Sequence, residues 1–276
     1  LCLALVQAGM HRRQDDIQRI AGIHGERGTA AILPTIYPAE IEVMRDNIGA
    51  VMRAMSVQRD GARILGVHVE GPFLNTGRAG SLDPKSFLDP DRDMLLHLID
   101  GYEDIIKVMT IAPELPGALR LIEACREKGI LVQMGHSDAS FEQAEEGKRA
   151  GATGITHLFN AMRGFHHREP GLAGFGLMDE DIYVEVIADM AHLHTTSLKM
   201  VLDMKPPDKI LLISDSVKGP AWGSGPVRGP GGMLLGSGIA LADCIRNLVS
   251  IGVPLDRAIQ FASDNPIGYL GVIPVM

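Results

Sequence analysis

Seven short apolar runs recur along this chain with longer amphipathic stretches between them: AAILPTIYP (30–38), ILGVHVEG (64–71), IIKVMTIAPE (105–114), ILVQMGHS (130–137), ATGITHLFN (152–160), IYVEVIAD (182–189) and KILLISDS (209–216). Unbroken Val, Ile and Leu runs suit parallel strands whose two faces are both covered by helices. Between them, GALRLIEACREKG (117–129) and FEQAEEGKRAG (141–151) carry helical periodicity. Each ends on a glycine, Gly129 or Gly151, where a helix C-cap needs one. LCLALVQAG at the start reads as a further strand and brings the number to eight. Eight strand–helix units predict an α/β chain folded as a (β/α)8 TIM-like barrel. An open doubly wound sheet shares this periodicity and is the alternative. The 276 residues fit one barrel domain over 1–276, since such barrels run to about 250 residues.

Composition narrows the function. A formal net charge of −8 argues against a nucleic-acid surface, and the apolar runs are too short to span a bilayer. Cys2, Cys125 and Cys244 lie far apart with no CxxC spacing. That argues against a disulfide framework or a zinc knuckle and points to a reducing, cytoplasmic setting. LCLALVQAGM has no basic leader and no cleavage pattern, so it reads as a strand rather than a signal peptide. KGPAWGSGPVRGPGG (218–232) is too rich in Gly and Pro for a helix or strand interior. It is expected as a loop at the barrel mouth, either a surface loop or a substrate-covering lid, and it is no phosphate-binding glycine motif. His11, His24 and His97 lie away from strand ends and are expected at the surface.

Catalytic groups of such barrels sit at the carboxyl ends of the strands. Here the runs end at Thr35, Glu70, Thr110 with Glu114 beyond, His136, His157, Asp189 with His192 after it, and Asp215. Each alone has a structural explanation: a histidine there is often just hydrogen-bonded, and an aspartate often caps the next helix. Glu, His, His and Asp converging on one mouth point to chemistry. Burying an ionised glutamate costs on the order of several kcal/mol unless it is paired. Glu70, His136 and His157 supply three ligands with an open position, as catalytic zinc sites do. Such an ion lowers the pKa of a bound water to about 7. Asp215 is then placed as the general base, taking the water's proton and returning it to a leaving nitrogen. The expected chemistry is metal-assisted hydrolysis.

GVHVEGPFLN (66–75), GHSDAS (135–140), THLFNAM (156–162), REPGLAG (168–174), IADMAHLH (187–194) and LLISDS (211–216) come in the order, and at about the spacing, of N-acetylglucosamine-6-phosphate deacetylases. The chain resembles that family of the amidohydrolase superfamily from about GTAAILPT (28–35) to ASDNPIGYLG (262–271). The resemblance implies a barrel of the metal-dependent hydrolase type. It implies one divalent ion rather than two on Glu70, His136 and His157, with zinc the first choice and Fe2+ or another divalent ion the next. It implies Asp215 as catalytic acid/base. It places Asn160 and Ala161 on the sugar, and Arg168 and His192 near the phosphate, with some phosphate contacts crossing a homodimer interface. Leu234, Leu235 and Gly236 in MLLGSG match a loop closing over the sugar. Ser81 and Leu82, in RAGSLDP (78–84), stand where the family places a histidine that polarises the acetyl carbonyl.

The chain departs from the family in four places. Leu3-Ala4-Leu5 holds no metal ligand where a His-x-His is usual, Leu82 replaces the histidine, and Met190 stands where glycine is common. The flanking β-sandwich built from both terminal segments is expected to be largely absent or truncated. The expected activity is removal of acetate from N-acetylglucosamine 6-phosphate, giving glucosamine 6-phosphate in amino-sugar catabolism. The alternatives are the N-acetylgalactosamine isomer as substrate, because no residue reads the C4 hydroxyl, or a degenerate barrel kept as a binding module. The expected partner is a small amino-sugar phosphate, with no nucleic acid and no membrane.

Overall fold

The computed structural model describes residues 3–7, 14–217 and 225–272. Its strands are β1 (Leu3–Gln7), β2 (Ala31–Ile36), β3 (Arg63–Ile64), β4 (Val67–Glu70), β5 (Ile106–Ile111), β6 (Leu131–Met134), β7 (Ala152–Ile155), β8 (Tyr183–Ile187), β9 (Ile210–Ile213), β10 (Pro226–Arg228) and β11 (Leu234–Ser237). The helices are α1 (Gln14–Glu26), α2 (Ile41–Val57), α3 (Arg92–Ile99), α4 (Ala118–Glu127), α5 (Phe141–Ala150), α6 (Gly171–Met178), α7 (Thr195–Met204), α8 (Leu241–Ser250), α9 (Leu255–Ala262) and α10 (Asp264–Leu270).

The parallel ladder runs β1-β2-β4-β5-β6-β7-β8-β9, with β3 paired to β2 alone, and β9 returns beside β1. A doubly wound sheet reverses its strand order at a switch point; this sheet never reverses, which identifies the (β/α)8 fold. Every predicted run contains a strand. The run ILGVHVEG is broken into β3 and β4 at Gly66 (φ +147°). A β-carbon there would fall 2.3 Å from the carbonyl oxygen of Ile105. Helices α4 and α5 end where the glycines predicted, and α5 begins with a capping box of Ser140 and Gln143.

Two expectations need correction. The Gly/Pro-rich stretch is not all loop: Pro226–Arg228 pairs antiparallel with Leu234–Ser237. A two-stranded ribbon has only edges, and an edge strand tolerates a proline at its first position. Residues 218–224 of that stretch, with Cys2 and His11, lie outside the described residues. His24 is fully buried, not at the surface. It shares one face of α1 with Ile17 and Ala21, at the spacing of an inward stripe, and its Nε2 lies 3.3 Å from Oγ of Ser216.

The larger apolar cluster fills the space between strands and helices. A smaller one joins Leu33, Val108, Ile187, Leu211 and Ile213 to Tyr269 of α10. Beside it lies a buried polar layer. Nε2 of His68 meets Oγ1 of Thr110 at 2.7 Å, Thr110 meets Thr156 at 2.7 Å, and Thr156 donates to Oε1 of Gln133 at 3.0 Å. Gln133 in turn donates to Oε1 of Glu185 at 2.8 Å. Among the described residues no helix is long and apolar enough to cross a membrane.

Candidate active site

Glu70 ends β4, and His136 and His157 follow β6 and β7 by two residues. All three are buried, at 2%, 4% and 5% exposure. Nε2 of His136 and Nε2 of His157 each lie 3.0 Å from Oε1 of Glu70, and the two nitrogens are 3.2 Å apart. Bonds of about 2.0–2.1 Å at tetrahedral angles put neighbouring donors roughly 3.3 Å apart. This nitrogen–nitrogen–oxygen triangle therefore has the size and donor chemistry of a three-ligand divalent-metal site, and it is the cluster of that kind among the described residues.

Electrostatics agree with the geometry. Burial opposes ionisation of Glu70, but hydrogen bonds from both imidazoles override it and hold the carboxyl well below its usual range. Burial likewise opposes charge on His157, and the Glu70 carboxylate overrides it, raising the imidazole to about 9. The pocket thus favours a positive charge between these side chains. The outer supports differ for the two histidines. Nδ1 of His136 donates to the carbonyl of Arg78 at 3.0 Å, which aims Nε2 inward. His157 is held by its backbone, whose N–H donates to Oε2 of Glu185 at 3.3 Å. Burial pushes the Glu185 carboxyl up to about 8.

The backbone is strained where the chemistry is. Among the described residues, the non-glycine positions with positive φ are His136 (47°), His157 (31°), Phe159 (75°), Ala161 (49°), Met190 (63°) and Asp215 (44°). Left-handed backbone is costly for such residues and collects at functional sites. Here it falls on two candidate ligands, the candidate base and the loops between them. Burial raises the Asp215 carboxyl to about 6, with His157 pulling it down and Glu70 pushing it up. Burial, then Asp215 and Glu70, drives the Tyr37 phenol well above its ordinary value, so Tyr37 shares their field.

A cavity of about 400 Å³ opens over the triad, lined by Glu70, His136, His157 and Asp215 on its floor. Ser81, Leu82, Asn160, Ala161, His192, Leu234 and Leu235 from the predicted set also line it. Oγ of Ser81 lies 3.5 Å from the carbonyl of Leu235, so two walls touch. Asn160 donates to the carbonyls of His157 and Leu158. His192 is fixed by Nδ1 to Oδ2 of Asp189 at 2.8 Å. Burial opposes ionisation of Asp189, but the His192 contact keeps the carboxyl low.

Two predicted residues are not among those lining the cavity. Arg168 is exposed on its loop, with Nη1 3.1 Å from Nε2 of His167. Gly236 packs instead against Asp215 and Val217. Gly80 and Met233 line the cavity and were not anticipated. Gly80 adopts φ +60°, and its sequence context, a glycine beside Ser81, was the available signal.

No family model matches the chain. It is 32% identical over 264 residues to an N-acetylglucosamine-6-phosphate deacetylase of Lysinibacillus sphaericus, covering 88% of this chain and 68% of that protein. It is 30% identical over 277 residues to an N-acetylgalactosamine-6-phosphate deacetylase of Escherichia coli O157:H7, covering 95% and 73%. Among solved structures it is similar to a mutant N-acetyl-D-glucosamine-6-phosphate deacetylase from Mycobacterium smegmatis in complex with N-acetyl-D-glucosamine-6-phosphate. The TM-score is 0.86 at 28% identity, over 99% of this chain and 77% of that one. With the predicted sequence blocks, the barrel and these likenesses in agreement, the chain belongs to the N-acetylglucosamine-6-phosphate deacetylase family of the amidohydrolase superfamily.

Proposed function

We propose that this protein hydrolyses the acetamide of N-acetylglucosamine 6-phosphate, releasing acetate and glucosamine 6-phosphate. The observation that carries this reading is the meeting of Glu70, His136 and His157 at 3.0–3.2 Å in one cavity with a buried Asp215. We read the triad as a single-ion site for a divalent cation, zinc first. Glu70, His136 and His157 would hold such an ion, which would supply water activation at neutral pH and polarisation of the amide carbonyl.

The chain's own residues do the rest. Asp215 accepts the proton of the attacking water as the new bond forms at the carbonyl carbon. It returns that proton to the nitrogen as the C–N bond breaks. A carboxyl raised to about 6 suits both halves of that exchange. Asn160, Ala161, Ser81 and Leu82 wall the sugar, and Leu234 and Leu235 close it from above. His192 lies at the phosphate end, and Arg168 reaches the phosphate of a second copy's substrate in a homodimer, which accounts for its exposure outside its own cavity. A guanidinium fork suits a phosphate. Scattered cysteines, of which Cys125 and Cys244 are buried and free, support a cytoplasmic setting.

The galactosamine isomer is a second reading, favoured by the relative of that name. The test is acetate release from each isomer by zinc-loaded protein, beside Asp215→Asn. Release from the glucosamine compound that collapses by at least about 10²-fold in the variant is expected. Release from the galactosamine compound alone reassigns the substrate. No release from either by folded, zinc-loaded protein overturns the hydrolase reading.

A further inference from the structure

Beyond the cavity wall, the loops after β4, β5, β6 and β7 meet in one polar cluster. Oε1 of Glu114 accepts the side-chain amide of Asn75 at 2.9 Å and the backbone N–H of Asp138 at 2.6 Å, and Oε2 accepts the Ser137 hydroxyl at 2.7 Å. Asn75 donates its own N–H to the carbonyl of His136 at 2.9 Å. Asp138 divides its carboxylate. Oδ1 takes Nε and Nη2 of Arg78 at 2.8 and 2.5 Å, and Oδ2 takes Nη2 of Arg163 at 2.6 Å.

Each arginine leads back into the site through its main chain. The Arg78 carbonyl is the acceptor for Nδ1 of His136. The Arg163 N–H donates to the carbonyl of Ser137 at 2.9 Å, and Ser137 donates to the carbonyl of Ala161 at 3.2 Å. Asp138 itself neither lines the cavity nor caps α5, whose N-cap is Ser140. Its side chain is 35% exposed, and ion pairs so open to water contribute little to stability. A carboxylate shared between two arginines instead fixes geometry, and what this one fixes lies on both sides of the cavity.

We propose that Asp138 is a positioning residue which, by gripping Arg78 and Arg163 together, sets the metal ligand His136 and the sugar-facing Asn160–Ala161 wall as one unit. The inference rests on the metal-site reading above. Loss of an outer partner of a metal-ligating histidine typically weakens metal binding 10- to 100-fold, by order of magnitude. A purely structural ion pair predicts the reverse pattern: a lower melting temperature and unchanged zinc affinity.

The test measures three quantities for the wild type, Asp138→Ala, Asp138→Asn, Arg78→Lys and Arg78→Ala, with Lys128→Ala, which breaks the ion pair of Lys128 with Glu103, as the control. They are zinc affinity by competition with a chromophoric chelator, KM and kcat for N-acetylglucosamine 6-phosphate, and thermal unfolding of chelator-treated protein. Asp138→Ala is expected to weaken zinc about tenfold or more and raise KM, while its chelator-treated melting temperature hardly moves. Asp138→Ala combined with Arg78→Ala is expected to cost no more zinc affinity than either alone, as residues of one unit do. Zinc affinity in Asp138→Ala equal to that of Lys128→Ala and the wild type overturns the inference and leaves the metal site standing. A wild type that binds no zinc overturns both.

Discussion

Ser237 donates its backbone N–H to the carbonyl oxygen of Asp215 at 2.9 Å. The candidate base is therefore steadied not by the barrel alone but by the last strand of the β10–β11 ribbon, whose neighbouring residues Leu234 and Leu235 face the cavity. Gly236 allows the approach. A β-carbon there would lie 2.5 Å from Cγ1 of Val217 and 3.0 Å from the Asp215 carbonyl, at φ +153°. Gly236→Ala is expected to destabilise by about 1–3 kcal/mol from backbone strain and to lower kcat more than it raises KM. Wild-type kcat in a folded Gly236→Ala protein would show that Asp215 does not depend on this contact.

Glu70 is the anionic member of the proposed metal triad. Zinc at 100 times its dissociation constant stabilises a protein by about 2.7 kcal/mol through mass action alone. Addition of zinc is therefore expected to raise the melting temperature of the wild type and to leave that of Glu70→Gln nearly unchanged. Differential scanning calorimetry with and without a chelator reads the difference. An equal zinc increment in both proteins places the ion elsewhere.

Glu185 satisfies two buried donors, Nε2 of Gln133 and the N–H of His157. Glu185→Leu strands both, and each stranded donor costs about 1–3 kcal/mol. Urea unfolding is expected to show a loss of about 2 kcal/mol or more. Glu185→Gln is expected to recover part of it, because its amide oxygen can still accept one of the two donors. A leucine variant as stable as the wild type would remove the network from the stability account.

His24 gives the fold a pH dependence separate from the site. Burial, then the Arg27 charge, lowers its imidazole to about 4 in the folded protein, against an ordinary value near 6.5. The unfolded chain thus binds a proton that the folded chain refuses between those values. Stability is fully present above about 6.5 and falls as pH drops towards about 4. From about pH 7 to about pH 5 the wild type is expected to lose about 2 kcal/mol more than His24→Gln. Parallel stability–pH curves for the two proteins would contradict this.

The barrel was legible because strands buried on both faces have to be continuous in Val, Ile and Leu, and each of those runs became a strand. Glu70, His136, His157 and Asp215 were legible because strand ends are where polar residues have no packing reason to stand. The parts that escaped reading depend on distances between segments. Nothing local in Asp138, 60 residues from Arg78, announces a shared carboxylate. Nothing in Pro226–Arg228 announces a strand, since its partner among the described residues, β11, comes later in the chain. His24 was misread because a titratable side chain on an apolar helix face was weighed by type rather than by its place in the stripe.

The cavity has two kinds of wall. One, at Asn160 and Ala161, is tied through Ser137 to the loop that carries His136. The other, at Met233 to Leu235, meets the rest of the site through the contact of Ser81 with Leu235 and the ribbon's hold on Asp215. Descendants of this chain can therefore exchange side chains on the second wall without disturbing the ligands, while changes on the first reach the reacting centre. A switch between sugar epimers in this lineage is expected to be written around Met233 and Leu234, where selection can vary the fit and leave the chemistry intact.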